Sequence, residues 1–200
     1  MKNMITFHKS IAFFAAAAVL TFSACKKEKN EPDDDAHEHE NEEITTVKLT
    51  FTNAVTPAEK VIATWKDMDG AGGAVPQISN IVLKANTAYL LSTELLDEHK
   101  NPADNITNEI QEEGDEHRVF HLFFANADAP VKDSLTTAAT VTALDKDSKN
   151  LPIGLQVHMA TKGAFKGYFR MVVRHQVTGK DGTYAPGSTD AQTEFPIEIK

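Results

Sequence analysis

The feature that most constrains this chain is an alternation of apolar and polar residues with period two, which recurs in short runs through residues 44–200. The first run places Val47, Leu49 and Phe51 on one side and threonine or lysine residues on the other. Successive strand side chains point to opposite faces, so each run predicts a half-buried β-strand. Further runs occupy residues 61–65, 81–83, 89–96, 119–124, 155–159, 167–173 and 195–199, and Val141 begins another.

Only one short segment has helical character. Asn101 is suited to cap it, Pro102 to its first position, and Ile106 and Ile110 form a narrow apolar stripe. The alternation of strands and helices that builds parallel sheets is missing from the sequence. We therefore predict an all-β fold over residues 44–200, a two-layer antiparallel β-sandwich of Ig-like or related topology with one short helix.

A hairpin centred near Gly163 is predicted between two of the apolar runs. It pairs Leu155 with Met171 and Val157 with Phe169, which puts both pairs on one apolar face. In that register His158 and His175 lie far apart and share no site. The polar stretch that follows, residues 176–191, is rich in Gly, Asp and Thr and is predicted to be a long loop, a type of segment that often carries function.

Residues 1–24 have the pattern of a secretory signal peptide: a short lysine-containing start, an apolar run over residues 11–20, and small residues before Cys25. An uncleaved anchor helix is the alternative. Residues 22–25, Phe-Ser-Ala-Cys, resemble the lipobox of bacterial lipoproteins. That resemblance implies cleavage before Cys25, a diacylglyceryl thioether on its sulfur and a further acyl chain such as palmitate on its amine. Two or more acyl chains anchor a protein stably in a membrane.

An acidic tether follows the anchor over residues 25–43. Its second part, residues 31–43, carries eight acidic residues and no lysine or arginine, so it is predicted to be disordered and extended. His37 and His39 alternate with glutamates there, and imidazole and carboxylate groups are ligands for zinc and copper. The tract is interpreted either as a solvated stalk or as a weak binder of divalent metal.

The charge balance excludes some partners. The formal net charge is -9, and loss of Lys2 and Lys9 with the signal peptide takes it to -11. Nucleic acid phosphates need lysine and arginine to neutralise them, so we expect no nucleic-acid partner. The expected partners are the membrane, through the lipid on Cys25, and an outer-membrane protein or a small ligand. No cofactor is expected beyond a weakly bound divalent metal.

Two clusters are candidate cation sites. Asp67 and Asp69 have the spacing of a calcium loop, but Ala71 and Ile78 stand at its fifth and twelfth positions, where oxygen ligands are needed. A glycine-rich turn whose aspartates bond their own backbone is the alternative interpretation.

The second cluster consists of Asp115, Glu116 and His117, and it is a candidate for metal binding or proton transfer. His121 is excluded from it, because residues four apart on a strand lie roughly 13 Å apart. An acidic turn with a hydrogen-bonded histidine is the alternative. Glu113, Asp115 and Glu116 are also the candidate acids of a hydrolase. The sequence lacks a Gly-x-Ser-x-Gly elbow, a phosphate loop and a His-Glu-x-x-His motif, so we expect no enzymatic activity.

Residues 67–70, 106–110, 114–117 and 174–176 together resemble a group of uncharacterised Bacteroidota-type lipoproteins. Members are sometimes labelled type 1 periplasmic binding fold proteins. The resemblance implies a lipoprotein address, whereas the two α/β lobes of that label disagree with the period-two pattern of residues 44–200.

The expected function is that of an outer-membrane lipoprotein acting as a non-enzymatic binding or accessory module. A zinc- or copper-handling lipoprotein that serves a transport system is the alternative, and a carboxylate-based hydrolase ranks third. The periplasmic and cell-surface faces of the outer membrane both stay open.

Overall fold

The computed structural model describes residues 43–70 and 72–200. The predicted signal peptide, Cys25, His37 and His39 lie outside the described residues. The described part contains one α-helix, α1 (Ile106–Glu112), a 3-10 turn over Val131–Asp133, and ten strands. The strands are β1 (Thr46–Asn53), β2 (Lys60–Lys66), β3 (Gln77–Ile78), β4 (Ile81–Leu83), β5 (Ala88–Leu96), β6 (His117–Phe124), β7 (Ala139–Ala143), β8 (Gln156–Thr161), β9 (Phe165–His175) and β10 (Ser188–Ile199).

Two sheets pack as the predicted β-sandwich, and the all-β prediction is confirmed. The first sheet has the strand order β3-β2-β1-β5-β8-β7 and is antiparallel throughout. The second sheet has the order β4-β10-β9-β6. Its one departure from the antiparallel prediction is the pair β4–β10, which runs parallel. The long antiparallel ladders β10–β9 and β9–β6 form the body of this sheet.

Aromatic side chains join the two layers. Phe169 in the second sheet packs edge to face on Phe51 in the first sheet, with ring centroids 5.9 Å apart. Phe123 packs on Phe169 in the same way, with centroids 5.2 Å apart. All three side chains are buried. Edge-to-face pairs add about 0.5–1.5 kcal/mol beyond the burial of their area. The core therefore lies between the two sheets. The apolar residues of each alternating run form the inner face of its sheet.

The predicted hairpin around Gly163 is wrong, because β8 and β9 belong to different sheets. Val157 pairs with Leu91 of β5, whereas Phe169 pairs with Phe195 of β10. Residues 162–164 carry the chain from one layer to the other. The apolar faces of β8 and β9 line the same core from opposite sides, so an alternation that fits a hairpin fits a crossover equally well.

The helix begins later than predicted. Its cap is Asn105 rather than Asn101, and the Asn105 side-chain oxygen accepts a hydrogen bond from the Thr107 amide at 3.2 Å. The predicted apolar stripe is confirmed, since Ile106 and Ile110 are buried. Upstream, Asp104 pairs with Asp97 in an antiparallel bridge, which occupies the backbone that an earlier helix start would need.

The predicted polar loop of residues 176–191 ends at Ser188, where β10 begins. The loop lies against the outer face of the second sheet. Tyr184 packs on Phe120 with centroids 5.1 Å apart, and the Lys180 ammonium group bonds the Gly114 carbonyl at 2.6 Å and the Asp147 carboxylate at 2.8 Å. This loop is therefore fastened to the sandwich by buried contacts.

Candidate metal centre

Three neighbouring strands of the second sheet bring two histidines and an aspartate together. His117 opens β6, His175 closes β9, and the two are direct cross-strand partners. Asp190 lies near the start of β10. One ligand atom from each of the three side chains lies within 4.8 Å of the others. We refer to His117, His175 and Asp190 as the buried site.

A β-bulge places Asp190 in this group. Thr189 pairs with Arg174 and Ala191 pairs with the next residue, Val173, so Asp190 is the extra residue between them. A bulge re-aims the side chain of its extra residue. The Asp190 side chain is only 3% exposed, and its Oδ2 lies 3.7 Å from His117 Nε2. The bulge therefore supplies a buried carboxylate that regular alternation would not have placed there.

The two imidazole rings stack. Their centroids lie 4.5 Å apart with an angle of 10° between the planes. His117 Nδ1 lies 3.2 Å from the carbonyl oxygen of Glu113, so this nitrogen carries the proton that it donates to the carbonyl. His117 Nε2 then faces Asp190 as an acceptor when the ring is neutral. A backbone carbonyl that fixes the tautomer in this way is typical of metal-ligating histidines.

Two further carboxylates flank the pair. Glu113 Oε2 lies 3.7 Å from His117 Nδ1, and Glu116 Oε2 lies 3.6 Å from His175 Nε2. Burial and the neighbouring His175 lower the pKa of His117. Burial raises the pKa of Asp190, although His175 and Arg174 oppose that rise. The buried site therefore favours a neutral imidazole, which is the form that binds metal.

The donor set suits zinc or copper, since imidazole and carboxylate are ligands for both. Around a tetrahedral zinc, bond lengths of about 2.0–2.1 Å put ligand atoms roughly 3.3 Å apart. Here Asp190 Oδ2 and His117 Nε2 lie 3.7 Å apart, and the two imidazole rings stack with centroids 4.5 Å apart instead of converging. Binding an ion therefore requires both rings to turn towards a common point.

Of the predicted Asp115, Glu116 and His117 cluster, Glu116 and His117 stay beside the buried site, whereas Asp115 bonds a different segment. The Asp115 carboxylate accepts hydrogen bonds from the amide and hydroxyl of Ser148, which lower its pKa, and so it faces the segment between β7 and β8. Glu116 Oε2 lies 3.6 Å from His175 Nε2, and the charge of Glu116 also acts on His117. His121 is buried in the core, where Nε2 lies 3.0 Å from Thr93 Oγ1.

The aspartates of the calcium-like loop bond the backbone around them. Asp67 Oδ1 accepts the amide of Gly70 at 3.0 Å, and Asp69 Oδ2 accepts the amide of Ala74 at 2.8 Å. Hydrogen bonds of this kind stabilise tight turns. They fit the glycine-rich turn that is the alternative to a calcium loop.

A second group of potential ligands lies near the buried site. Glu43, Asp97 and His99 each have a ligand atom within 4.8 Å of the others, and we refer to them as the rim cluster. His99 Nδ1 lies 3.1 Å from Glu43 Oε1 and 3.7 Å from Asp97 Oδ1. The Met68 carbonyl and the Glu43 carboxylate raise the pKa of His99. A pocket of about 310 Å³ is lined by Glu43 and His99 and also by Asp190.

Sequence reasoning found His117 but missed His175 and Asp190. His175 occurs in one of the segments that carry the lipoprotein resemblance, which was the available signal for it. Asp190 gave no signal, because the bulge depends on pairing between strands.

Within residues 43–70 and 72–200, no helix is both long and apolar enough to cross a membrane. No protein-family model, curated protein or solved structure matches this chain.

Proposed function

We propose that this protein is an outer-membrane lipoprotein that binds a divalent transition metal, zinc or copper, without enzymatic activity. The observation that carries the proposal is the convergence of His117, His175 and Asp190 at one end of the sandwich. Two imidazoles and a carboxylate from three strands are held on a rigid sheet, which limits the number of geometries they can adopt.

The lipid anchor predicted at Cys25 and the negative charge of the chain are consistent with this proposal. A lipid on Cys25 would hold the domain at the outer membrane, where a metal-handling protein can serve a transport system. The net charge of -11 after loss of the signal peptide attracts cations to the domain. His37 and His39 would add weak ligands ahead of the domain.

Calorimetry with zinc and with copper tests the proposal. We would use the full chain in mild detergent, with His37→Gln and His39→Gln so that the tether histidines do not contribute. We expect micromolar or tighter binding that weakens by about 100-fold, or roughly 2.7 kcal/mol, in His175→Ala.

The matched control is His158→Ala, since His158 lies opposite exposed Leu90 on the outer face of the first sheet. This control should bind as the parent does. Binding no tighter than that of a disordered peptide, or equal binding by His175→Ala and the parent, would overturn the proposal.

The anchor has its own test. Cys25→Ala should remove the lipid attachment point, and the domain should then no longer sediment with outer membranes after cell fractionation. A Cys25→Ala protein that stays in the outer-membrane fraction would contradict lipid anchoring and leave the metal-binding test unaffected.

A second candidate function, binding to an outer-membrane protein, is favoured by a groove of about 430 Å³ on the outer face of the second sheet. Val82, Tyr168 and Pro196 line it, and Val82 is exposed. A photo-crosslinker at Val82 should give one discrete adduct in cells, and one at Thr50 on the other sheet should give none. Equal labelling at both positions would exclude this groove.

A further inference from the structure

We infer that the rim cluster binds an incoming metal ion first and that the ion then passes through the adjoining pocket into the buried site. The inference rests on the proposed metal-binding function and adds a route and an order of events. The ion binds first to Glu43, Asp97 and His99, and it then moves to His117, His175 and Asp190.

Asp190 links the two groups of ligands. Asp190 lines the same pocket of about 310 Å³ as Glu43 and His99, and its Oδ2 lies 3.7 Å from His117 Nε2. The side chain is 3% exposed, and Oδ2 accepts no hydrogen bond among the described residues. A buried carboxylate oxygen without a donor is costly, and a cation entering from the pocket would offset that cost.

The rim cluster has the internal arrangement of a metal ligand set. His99 Nε2 lies 2.6 Å from the Met68 carbonyl and therefore donates its hydrogen to it. Nδ1 is directed towards the carboxylates of Glu43 and Asp97, 3.1 and 3.7 Å away, so an ion that takes the place of its proton would meet all three groups. The carbonyl fixes both tautomer and ring orientation, as it does for ligating histidines in general.

Solvent exposure gives the route a direction. The side chains of Glu43 and His99 are 66% and 40% exposed, whereas that of His117 is 1% exposed. A hydrated ion can reach the rim cluster without losing its whole water shell. Three acidic residues, Glu43, Asp67 and Asp190, line the pocket, and negative charge in a cleft raises the local concentration of cations. Capture at the rim followed by dehydration inside divides one high barrier into smaller steps.

The kinetics of metal uptake test the route. We would follow zinc transfer from a chromophoric chelator to the full chain by stopped flow, with His37→Gln and His39→Gln in every variant. The double variant Glu43→Gln/His99→Gln should take up zinc about tenfold more slowly. It should release zinc more slowly by the same factor, because a residue on the route acts in both directions. The dissociation constant of the buried site should therefore not change.

The matched control is Glu59→Gln/His158→Gln, which removes one exposed acid and one histidine away from the pocket and should leave both rates unchanged. Equal uptake rates in the rim variant and the parent, with tight binding retained, would overturn the route but not the proposed function. Loss of tight binding in the rim variant would also overturn it, since the rim residues would then be permanent ligands. Absence of tight binding in the parent would overturn the proposed function itself. Circular dichroism of the exposed-residue variants checks that each is folded.

Discussion

Acid should destabilise this domain through one buried histidine. His121 lies in the core, and burial together with the charge of Arg118 lowers its pKa from 6.5 to about 3. Nε2 of the neutral ring lies 3.0 Å from Thr93 Oγ1, and this contact joins the two sheets. The unfolded chain has a normal histidine and therefore binds a proton at pH values where the folded chain does not. Stability from this residue is complete above pH 6.5 and is lost as the pH falls from 6.5 towards 3.

The magnitude follows from the two pKa values. A pH of 5.0 is about 1.5 units below the pKa of histidine in the unfolded state. Each unit corresponds to about 1.4 kcal/mol of unfolding free energy. The folded state binds almost no proton at His121 at that pH, because its pKa is about 3. Lowering the pH from 7.5 to 5.0 should therefore cost about 2 kcal/mol of unfolding free energy through this side chain alone.

Urea unfolding at pH 7.5 and pH 5.0, with a chelator present, measures the effect. The test variant is His121→Leu/Thr93→Val, which removes both hydrogen-bonding partners and leaves neither unsatisfied. Its loss of stability between the two pH values should be smaller than that of the parent by about 2 kcal/mol. Met171→Ala, at the cross-strand partner of His121, is the control: it should be less stable at both pH values with the parent's pH dependence. A double variant as pH-sensitive as the parent would refute the reasoning.

Two further predictions concern stability. Lys180→Met leaves the buried carboxylate of Asp147 without its ammonium partner and should cost about 3–5 kcal/mol in urea unfolding, and an unchanged midpoint would contradict a buried pair. Gly187→Ala should lower the melting temperature, because Gly187 has a φ of 80° and an added Cβ would collide with the His175 carbonyl. Gly163→Ala is its control, since nothing lies within 4 Å of the added atom, and equal melting temperatures for the two variants would contradict the collision.

The sequence predicted the strands well, because a strand that buries one face has apolar residues at every second position. Val47, Leu49 and Phe51 alternate in the sequence and are fully buried in β1. Strand partners leave no comparable mark, since any two apolar faces that line one core satisfy the same pattern. The hairpin predicted at Gly163 failed for this reason.

The candidate site depends on pairing even more than the fold does. His117 was predicted from its acidic neighbours, yet Asp115 bonds Ser148, and the other two residues of the buried site come from other strands. His175 reaches His117 only because β6 and β9 are adjacent in register. Such a site becomes visible once strand order is known, and local motifs do not contain that information.

The bulge between Thr189 and Ala191 makes the candidate metal centre depend on a count of residues as well as on their chemistry. Without the extra residue, β10 would continue its ladder with β9 as an unbroken ribbon, and the apolar core below would keep its register. A one-residue deletion at this position would then be tolerated by the fold and would remove a ligand. Among proteins that share this sandwich, the extra residue in this strand, together with the two histidines, should therefore mark those in which the candidate metal centre can form.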